Sequence, residues 1–468
     1  MWISLMARET NLSYDASVSS QKRRSPSSRL KSVDQILSPT RRKQLVSNAR
    51  DLQQNFSICA WAIRRHLDYV TRFTFEPDTG DTGLDRELQS IVEWYSRPEN
   101  CDVTGRHSLA RLMRLAEERR TVDGDIFLVK MKSGHLQPIE SDRVRNPDKI
   151  STKDQWVHGL KLNRAGKTVR VGVWGRDGSG GYQFQRTVNA RSVLQLAYFE
   201  RFDQVRGVSP LASAINTYRD LYEGFDYALA KLKISQMFGL VLSREGSEAW
   251  GDVTADGDGT GYKVDFGKGP VMLDLDPGDK AEIIESKNPS NEFQTFTQQM
   301  IGIALKSLDL PYSFFSEDFT NFFGSRSAFI HYEKAAKRKR KDLADMLDKI
   351  TAWRLRLFVA DGTLRLPRGM NVGSLRWSWI SDGTPWWNPM QEITADIAAI
   401  NAGLKTRTQI VRERHGKNFK DIVDTLADEQ AYMNERGVAM DSSGIVTPIS
   451  DEILQREAAR EALETDED

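Results

Sequence analysis

Several groups of residues in this sequence have types that could do chemistry, and each can be held against what that chemistry requires. The stretch DVTADGDGTGYK opens like a calcium loop, with Asp252, Asp256, Gly257 and Asp258 in ligand-like order. A calcium loop of this kind closes its shell with a bidentate carboxylate at the twelfth position. Here that position is Lys263, so the stretch reads as a turn-rich surface loop. The segment GYKVDFGKG has five residues rather than four between its glycines, and no Ser or Thr follows its second lysine. It lacks the spacing of a phosphate-cradling Walker A loop. The six histidines (His66, His107, His135, His158, His331 and His415) are scattered, with no zinc-ligand spacing and no evident nucleophile beside them. No catalytic residue, no metal site and no cofactor is assigned.

Two further groups suit binding rather than bond-making. The stretch PYSFFSEDFTNFFGS carries Phe314, Phe315, Phe319, Phe322 and Phe323. Rings this dense should not face bulk water, so they are expected either in local packing under the next helix or against another surface. The run KAAKRKRKD places Lys334, Lys337, Arg338, Lys339, Arg340 and Lys341 on one helix. A basic run is either a solvated or intersubunit salt-bridge face, or a surface that meets phosphate.

The elements that must position these groups follow from periodicity. Residues 1–30 are rich in Ser, Arg and Lys and read as a flexible basic arm. From Thr40 to Phe75 the pattern is helical, and LDRELQSIVEWYSR and SLARLMRLAEERRTVDG give two more helices. DIFLVKMKSGHLQPIE reads as strand, turn and strand, and residues 155–200 as further strands, giving an α+β unit with an antiparallel sheet. Ser209 and Pro210 then open a long helix. Its seam is Leu211, Ile215, Tyr218, Tyr222, Phe225, Leu229 and Leu232, alternating steps of four and three. Residues 241–290 are short strands and turns. A second helix with Phe293, Phe296, Met300, Ala304 and Leu308 in one stripe runs to Pro311. The phenylalanine loop and a long helix come next, the helix burying Leu343, Met346, Leu347, Ile350 and Leu357 and stopping at Asp361-Gly362. A Trp-rich strand, LRWSWI, and two or three polar helices follow.

Bulk properties bound the answer. The chain has 468 residues, 39% hydrophobic, with a net charge of +1. That suffices for two or three domains and excludes a globally basic DNA-coating protein. The first fifty residues nonetheless hold roughly three times as many Lys/Arg as Asp/Glu, and the last fifty reverse the bias. Two cysteines are too few for a disulfide framework, which suits a reducing cytoplasm. No apolar run reaches the ~18 residues of a membrane helix, and no signal peptide is evident.

The stretch RGVSPLASAINTYRDLYEGFDYALAKLKISQ resembles the lambda-like family of tailed-bacteriophage portal proteins. The resemblance continues through MLDLDPGDKAEIIESKNPSNEFQTFTQQMIGIALKSLDLPYSFFSEDF, through SRSAFIHYEKAAKRKRK, and through DGTPWWNPMQEITADIAAINAGLKTRTQIVRERHGKNFKDIVDTLADEQ. It spans residues 40–440, and departs from the family where Asn321-Phe322-Phe323-Gly324-Ser325 replaces an Asn-Tyr-Ser-Ser run.

The resemblance implies a portal-type fold and a ring, usually of twelve copies, at one vertex of a viral head, with double-stranded DNA passing through it in a sequence-independent way. It implies as partners the terminase large subunit, the major capsid protein and scaffold, and a head–tail adaptor, with assembly in the host cytoplasm and no membrane. The chain would divide into a basic arm (1–30), an α+β wing (31–208), a first stem helix (209–240), a β-rich clip (241–290), a second stem helix (291–309), a channel loop (310–327), a long wing helix (328–360), a wing or crown helical region (361–440) and an acidic tail (441–468). Phe314, Phe315, Phe319, Asn321, Phe322, Phe323, Ser325 and Arg326 would belong to the channel loop. The seam from Leu211 to Leu232 would be the oligomer contact, with Leu221 and Ala228 supplying apolar surface beside it. The alternative is a DNA-processing enzyme or accessory packaging factor using the basic arm and the acidic loops.

Overall fold

The computed structural model describes residues 31–148, 155–178, 181–237, 240–244, 279–283, 291–317, 322–383, 389–440 and 446–448. Ser32 caps α1 (Val33–Ile36) in a capping box with Gln35. Ser38 caps α2 (Pro39–Asn55), with Pro39 at the position where its missing N–H is harmless. α3 (Ser57–Val70) follows after one extended residue, Phe56. Periodicity predicts a single helical stretch from Thr40 to Phe75, and the structure interrupts it twice. Phe56 leaves the helix to bury its ring edge-on against Tyr218 and Tyr222, far ahead in the chain. Phe73–Pro77 is strand β1, because it pairs antiparallel with Trp377–Ser381, the predicted Trp-rich strand.

α4 (Thr82–Tyr95) is capped by Asp81, α5 (Pro98–Cys101) is a single turn, and α6 (Leu109–Asp123) is capped by Ser108 and stopped by Gly124. β2 (Asp125–Lys130) and β3 (Leu136–Glu140) form the predicted hairpin. β4 (Trp156–Val157), β5 (Leu160–Leu162), β6 (Thr168–Arg176), β7 (Tyr182–Asn189) and β8 (Val193–Ala197) complete two antiparallel sheets, ordered β3-β2-β8 and β4-β5-β6-β7. Side chains alternate across a strand. Ile126 and Leu128 therefore join the large helical core, while Phe127 and Val129 join Ile139, Val144, Leu160, Val171 and Val173 in a second core. Burial on both faces explains why residues 126–129 of β2 are uninterruptedly apolar.

Beyond β8, Ser209 caps a 3-10 turn, Pro210–Ser213, before α7 (Ile215–Met237) begins. The predicted single helix from Ser209 thus starts as a tighter turn, with the Ser209 hydroxyl donating to the Thr121 carbonyl and accepting from the Leu211 N–H. β9 (Leu240–Arg244) pairs antiparallel with β10 (Asp279–Ile283). The calcium-like and GYKVDFGKG stretches lie outside the described residues. α8 (Asn291–Leu305) returns and ends in a second 3-10 turn, Lys306–Leu308, which packs on the first. α7 and α8 therefore form an antiparallel hairpin.

α9 (Tyr312–Ser316) is a short helix, and α10 (Phe322–Ala360) runs for 39 residues, about 58 Å at helical rise. β11 (Trp377–Ser381) is the partner of β1, and both its indoles donate to α10, to Asp348 at 3.0 Å and Thr351 at 3.1 Å. α11 (Pro389–Asn401), α12 (Arg407–His415) and α13 (Phe419–Glu435) follow, then β12 (Val438–Met440) paired with β13 (Val446–Pro448).

One buried cluster joins the sheet to the segment that enters α7. Asp125, fully buried, accepts from Nε and Nη2 of the Arg206 guanidinium, at 2.6 and 2.9 Å. Arg42 of α2 adds a third contact at 3.1 Å, and Ser141 and the Gly207 N–H donate as well. Against the burial that would raise it, Arg206 and then Arg42 hold the Asp125 carboxyl at about 2. Gly124 and Gly207 let the two backbones touch: a Cβ on Gly207 would stand 2.0 Å from the Gly124 carbonyl oxygen. A second buried cluster links α3, α6, β8 and α10. Glu117 accepts from Arg120 at 2.7 Å and Tyr198 at 2.9 Å and lies 3.0 Å from His66, and Arg120 reaches Asp342 of α10 at 2.9 Å.

Replacing Arg206 with Ala strands Asp125 in the core, and a destabilisation of about 3–5 kcal/mol is expected as a lowered denaturant midpoint. Acid should act through the same clusters. Asp125 and Glu117 are both held at about 2, below their ordinary values of 3.8 and 4.5. A carboxylate depressed by folding contributes stability above its unfolded pKa and loses it as pH falls toward its folded one. Far-UV circular dichroism melts should therefore show stability falling steeply between about pH 4.5 and pH 2, and Asp125→Asn should flatten that slope.

Candidate functional site

The hairpin of α7 and α8 divides along its length. At its base, Leu211, Ile215 and Tyr218 are buried in the chain's own core. Further out on the same seam, Tyr222, Phe225 and Leu229 are 46%, 37% and 49% exposed, and Leu232 is half-buried. α8 repeats the division: Ala304 and Leu308 are buried, Met300 is half-buried, and Phe296 is exposed. Tyr227 and Ile303, which lie off the predicted stripes, are exposed as well. Leu221, expected to offer apolar surface beside the seam, is instead buried in the core, while Ala228 is half-buried. The periodicity locates both stripes but not where along each helix the core ends. That depends on Phe56 and the 3-10 turns packed beneath the base.

The predicted channel loop of 310–327 is mostly helical. Phe322, Phe323, Ser325 and Arg326 lie in the first turns of α10 rather than in a loop. The helix extends this far because Ser325, Phe329, Tyr332 and Ala336 turn one face toward the core, which outweighs the roughly 1 kcal/mol penalty of Gly324. Phe319 and Asn321 lie outside the described residues. Phe314 and Phe315, weighed in the sequence between loop and local core, pack locally. Phe314 sits between Tyr69, Phe329 and Tyr332 at 5.4–6.4 Å, and Phe315 meets Trp61 edge-on at 5.6 Å. Arg326 bonds Glu392 of α11 at 3.0 Å, and Glu392 and Asp396 also hold Arg414 of α12. These ion pairs attach α11 and α12 to the start of α10, a joint with no periodic signature in the sequence.

The six basic residues of α10 fall into two sets. Lys339 and Arg340 point inward. Lys339 donates to the Leu308 carbonyl at 3.1 Å and pairs with Asp309 at 3.0 Å, clamping the end of α8. Desolvation lowers its pKa, opposed by Asp309. Arg340 donates to the Tyr69 carbonyl and pairs with Glu333. Lys334, Lys337, Arg338 and Lys341 are exposed. Lys341 lies 3.6 Å from Asp345, one turn on. Leu343, Met346, Leu347 and Ile350 bury as predicted, but Leu357 is only half-buried and Phe358 fills the core in its place.

Clefts of about 840, 640 and 330 Å³ lie on the surface of the described residues, and each is open to solvent. The largest lies between β1, β11, α10 and the start of α13 and mixes Glu76, Asp78 and Asp348 with Lys349, Arg376 and Arg412. Among the described residues, no group of three His, Cys, Asp or Glu is placed to hold a metal, and no helix is long and apolar enough to cross a membrane. What the geometry offers is surface rather than a reaction centre: an apolar two-helix hairpin and a basic stripe on a long helix.

The probable portal protein of Halomonas phage phiHAP-1 is 21% identical over 412 residues, covering 80% of this chain and 76% of that protein. A chain from the virion of a native gene transfer agent particle aligns at 13% identity with a TM-score of 0.47, covering 79% of this chain and 92% of that one. A chain from the neck of a native gene transfer agent particle, computed with C12 symmetry, aligns at 12% identity with a TM-score of 0.45, covering 78% and 92%. The profile of the phage portal protein, lambda family, matches residues 20–340, well over half of the sequence. The chain therefore belongs to the lambda family of phage portal proteins, a family of structural, non-enzymatic assembly components.

Proposed function

We propose that copies of this chain stand side by side in a ring, usually of twelve, whose passage conducts double-stranded DNA into and out of a capsid at one vertex. The observation that carries this reading is the divided burial of α7 and α8. Their bases belong to the subunit's own core, while Tyr222, Phe225, Leu229 and Phe296 remain uncovered. A contiguous apolar hairpin in a soluble chain marks a contact surface. Neighbouring hairpins packed in a cyclic, heterologous arrangement would cover it.

In this reading the two helices are the stem and residues 241–290 the clip between them. Residues 31–208, with the long helix and the later helical region, form the wing and crown. The clip's short strands would gain stability by pairing with a neighbour's edge. A net charge of +1 suits a conduit through which a duplex must slide, because every neutralised phosphate adds counterion-release affinity and would slow it. Residues 318–321, with Phe319 and Asn321, join α9 to α10 and are assigned to the channel loop. Family membership supports docking of the terminase motor, contact with the major capsid protein and scaffold, and a later joint with a head–tail adaptor.

Electron micrographs of the purified protein should show rings viewed down their axis, and native mass spectrometry should count the copies. Phe225→Glu with Leu229→Glu should leave a folded but monomeric chain, whereas Tyr218→Ala should destabilise the subunit itself by about 3 kcal/mol. A wild type that stays monomeric in every condition, or rings that survive the double substitution, would overturn the assignment of the stem. Phe319→Ala should leave rings intact and reduce packaged DNA per particle; lost assembly would instead make Phe319 a packing residue.

A further inference from the structure

The exposed bases of α10 form a single stripe. Lys334, Lys337, Arg338 and Lys341 stand at steps of three and four residues, which places all four on one helical face over about 10 Å. The acids nearest to them are committed elsewhere. Glu333 is held by Arg340, Asp309 by Lys339, and Asp342 by the buried Arg120. Only Asp345 turns toward the stripe, at 3.6 Å from Lys341. Among the described residues, no ion pair reaches Lys334, Lys337 or Arg338. The stripe thus presents a concentrated positive charge on a chain whose net charge is +1.

The compensating charge lies in residues 449–468, which carry eight Asp or Glu against two Arg. Four of these, Glu457, Glu461, Glu464 and Asp468, are spaced by four, three and four residues. The carboxylates extend over more residues than the stripe, so the match is one of opposite charge rather than of register. We propose that the acidic segment 449–468 docks on the Lys334–Lys341 stripe of α10 and shields it from nucleic acid. The segment acts as a phosphate mimic, so a duplex sliding past the subunit does not stick to the one strongly basic face the long helix exposes. Because the attraction is between exposed charges, it weakens with salt over the range in which screening shortens to a few ångströms.

The proposal does not depend on ring assembly, since its first readout is a contact within the protein. Carbodiimide coupling of the full-length chain joins a lysine Nζ to a carboxylate only where the two touch. Peptide mass spectrometry should find Lys334, Lys337 or Lys341 joined to residues 457–468, and these links should disappear above about 0.5 M salt. Links from the stripe to Asp421, Asp424 or Asp428 of α13 instead, or none to 449–468, would overturn it. The second readout is anisotropy of a labelled duplex of about 30 base pairs at about 50 mM salt. Removing residues 449–468 should raise affinity about tenfold, and changing all four stripe bases to Gln in the shortened chain should remove that gain. Gln keeps helix propensity, and a circular dichroism melt checks that α10 still folds. Equal DNA affinity with and without the segment would mean that the stripe is not shielded, and the proposal fails.

Discussion

Asp125 is a carboxylate without access to water, and much of the structure depends on how it is satisfied. It sits at the first position of the central strand, one residue past the glycine that ends α6. Its oxygens accept from Nε and Nη2 of Arg206, from Arg42, and from the Ser141 hydroxyl and Gly207 N–H. Those donors come from α2, from the turn after β3, and from the strap that leads into α7. A single buried charge therefore fixes where α2, the sheet and the segment entering α7 meet. Such an arrangement is weak evidence for net stability, since desolvation offsets much of the Coulomb gain. Its value is geometric: any other docking of the strap would leave a buried ion uncompensated.

The long helix obeys the same constraint with different partners. Its inward-facing charges each reach a different element. Asp342 meets Arg120 of α6, Lys339 meets the end of α8, Arg340 meets the end of α3, and Arg326 meets α11. Between these contacts Leu343, Met346, Leu347 and Ile350 fill the core. A helix of this length held at several points along its axis acts as a strut.

The hairpin shows how the burial of one helix changes along its length. Tyr218 is inaccessible to solvent, while Tyr222, one turn on, meets Phe56 on one side and solvent on the other. The core ends between these two positions, and beyond them Phe225, Leu229 and Phe296 stay exposed among the described residues.

Much of this was legible in the sequence because helices and strands announce themselves by period. Ser108 and Gly124 bound α6, the alternation in LQPIE marks β3, and the four-and-three steps from Leu211 mark α7, because such signals depend only on near neighbours. The family could be recognised from stretches in the right order for the same reason. Other features depended on residues far apart in the chain. The pairing of Phe73–Pro77 with Trp377–Ser381 turned a predicted helix end into a strand. The buried face of Ser325, Tyr332 and Ala336 turned a predicted loop into helix. The division of the α10 bases into clamps and an exposed stripe followed from where Asp309, Glu333 and Tyr69 happen to lie. Periodicity by itself determined that this chain would have amphipathic helices and antiparallel strands. Which apolar residues became core and which stayed uncovered was decided only by tertiary packing, because burial is a property of the partners a side chain meets and not of the side chain itself.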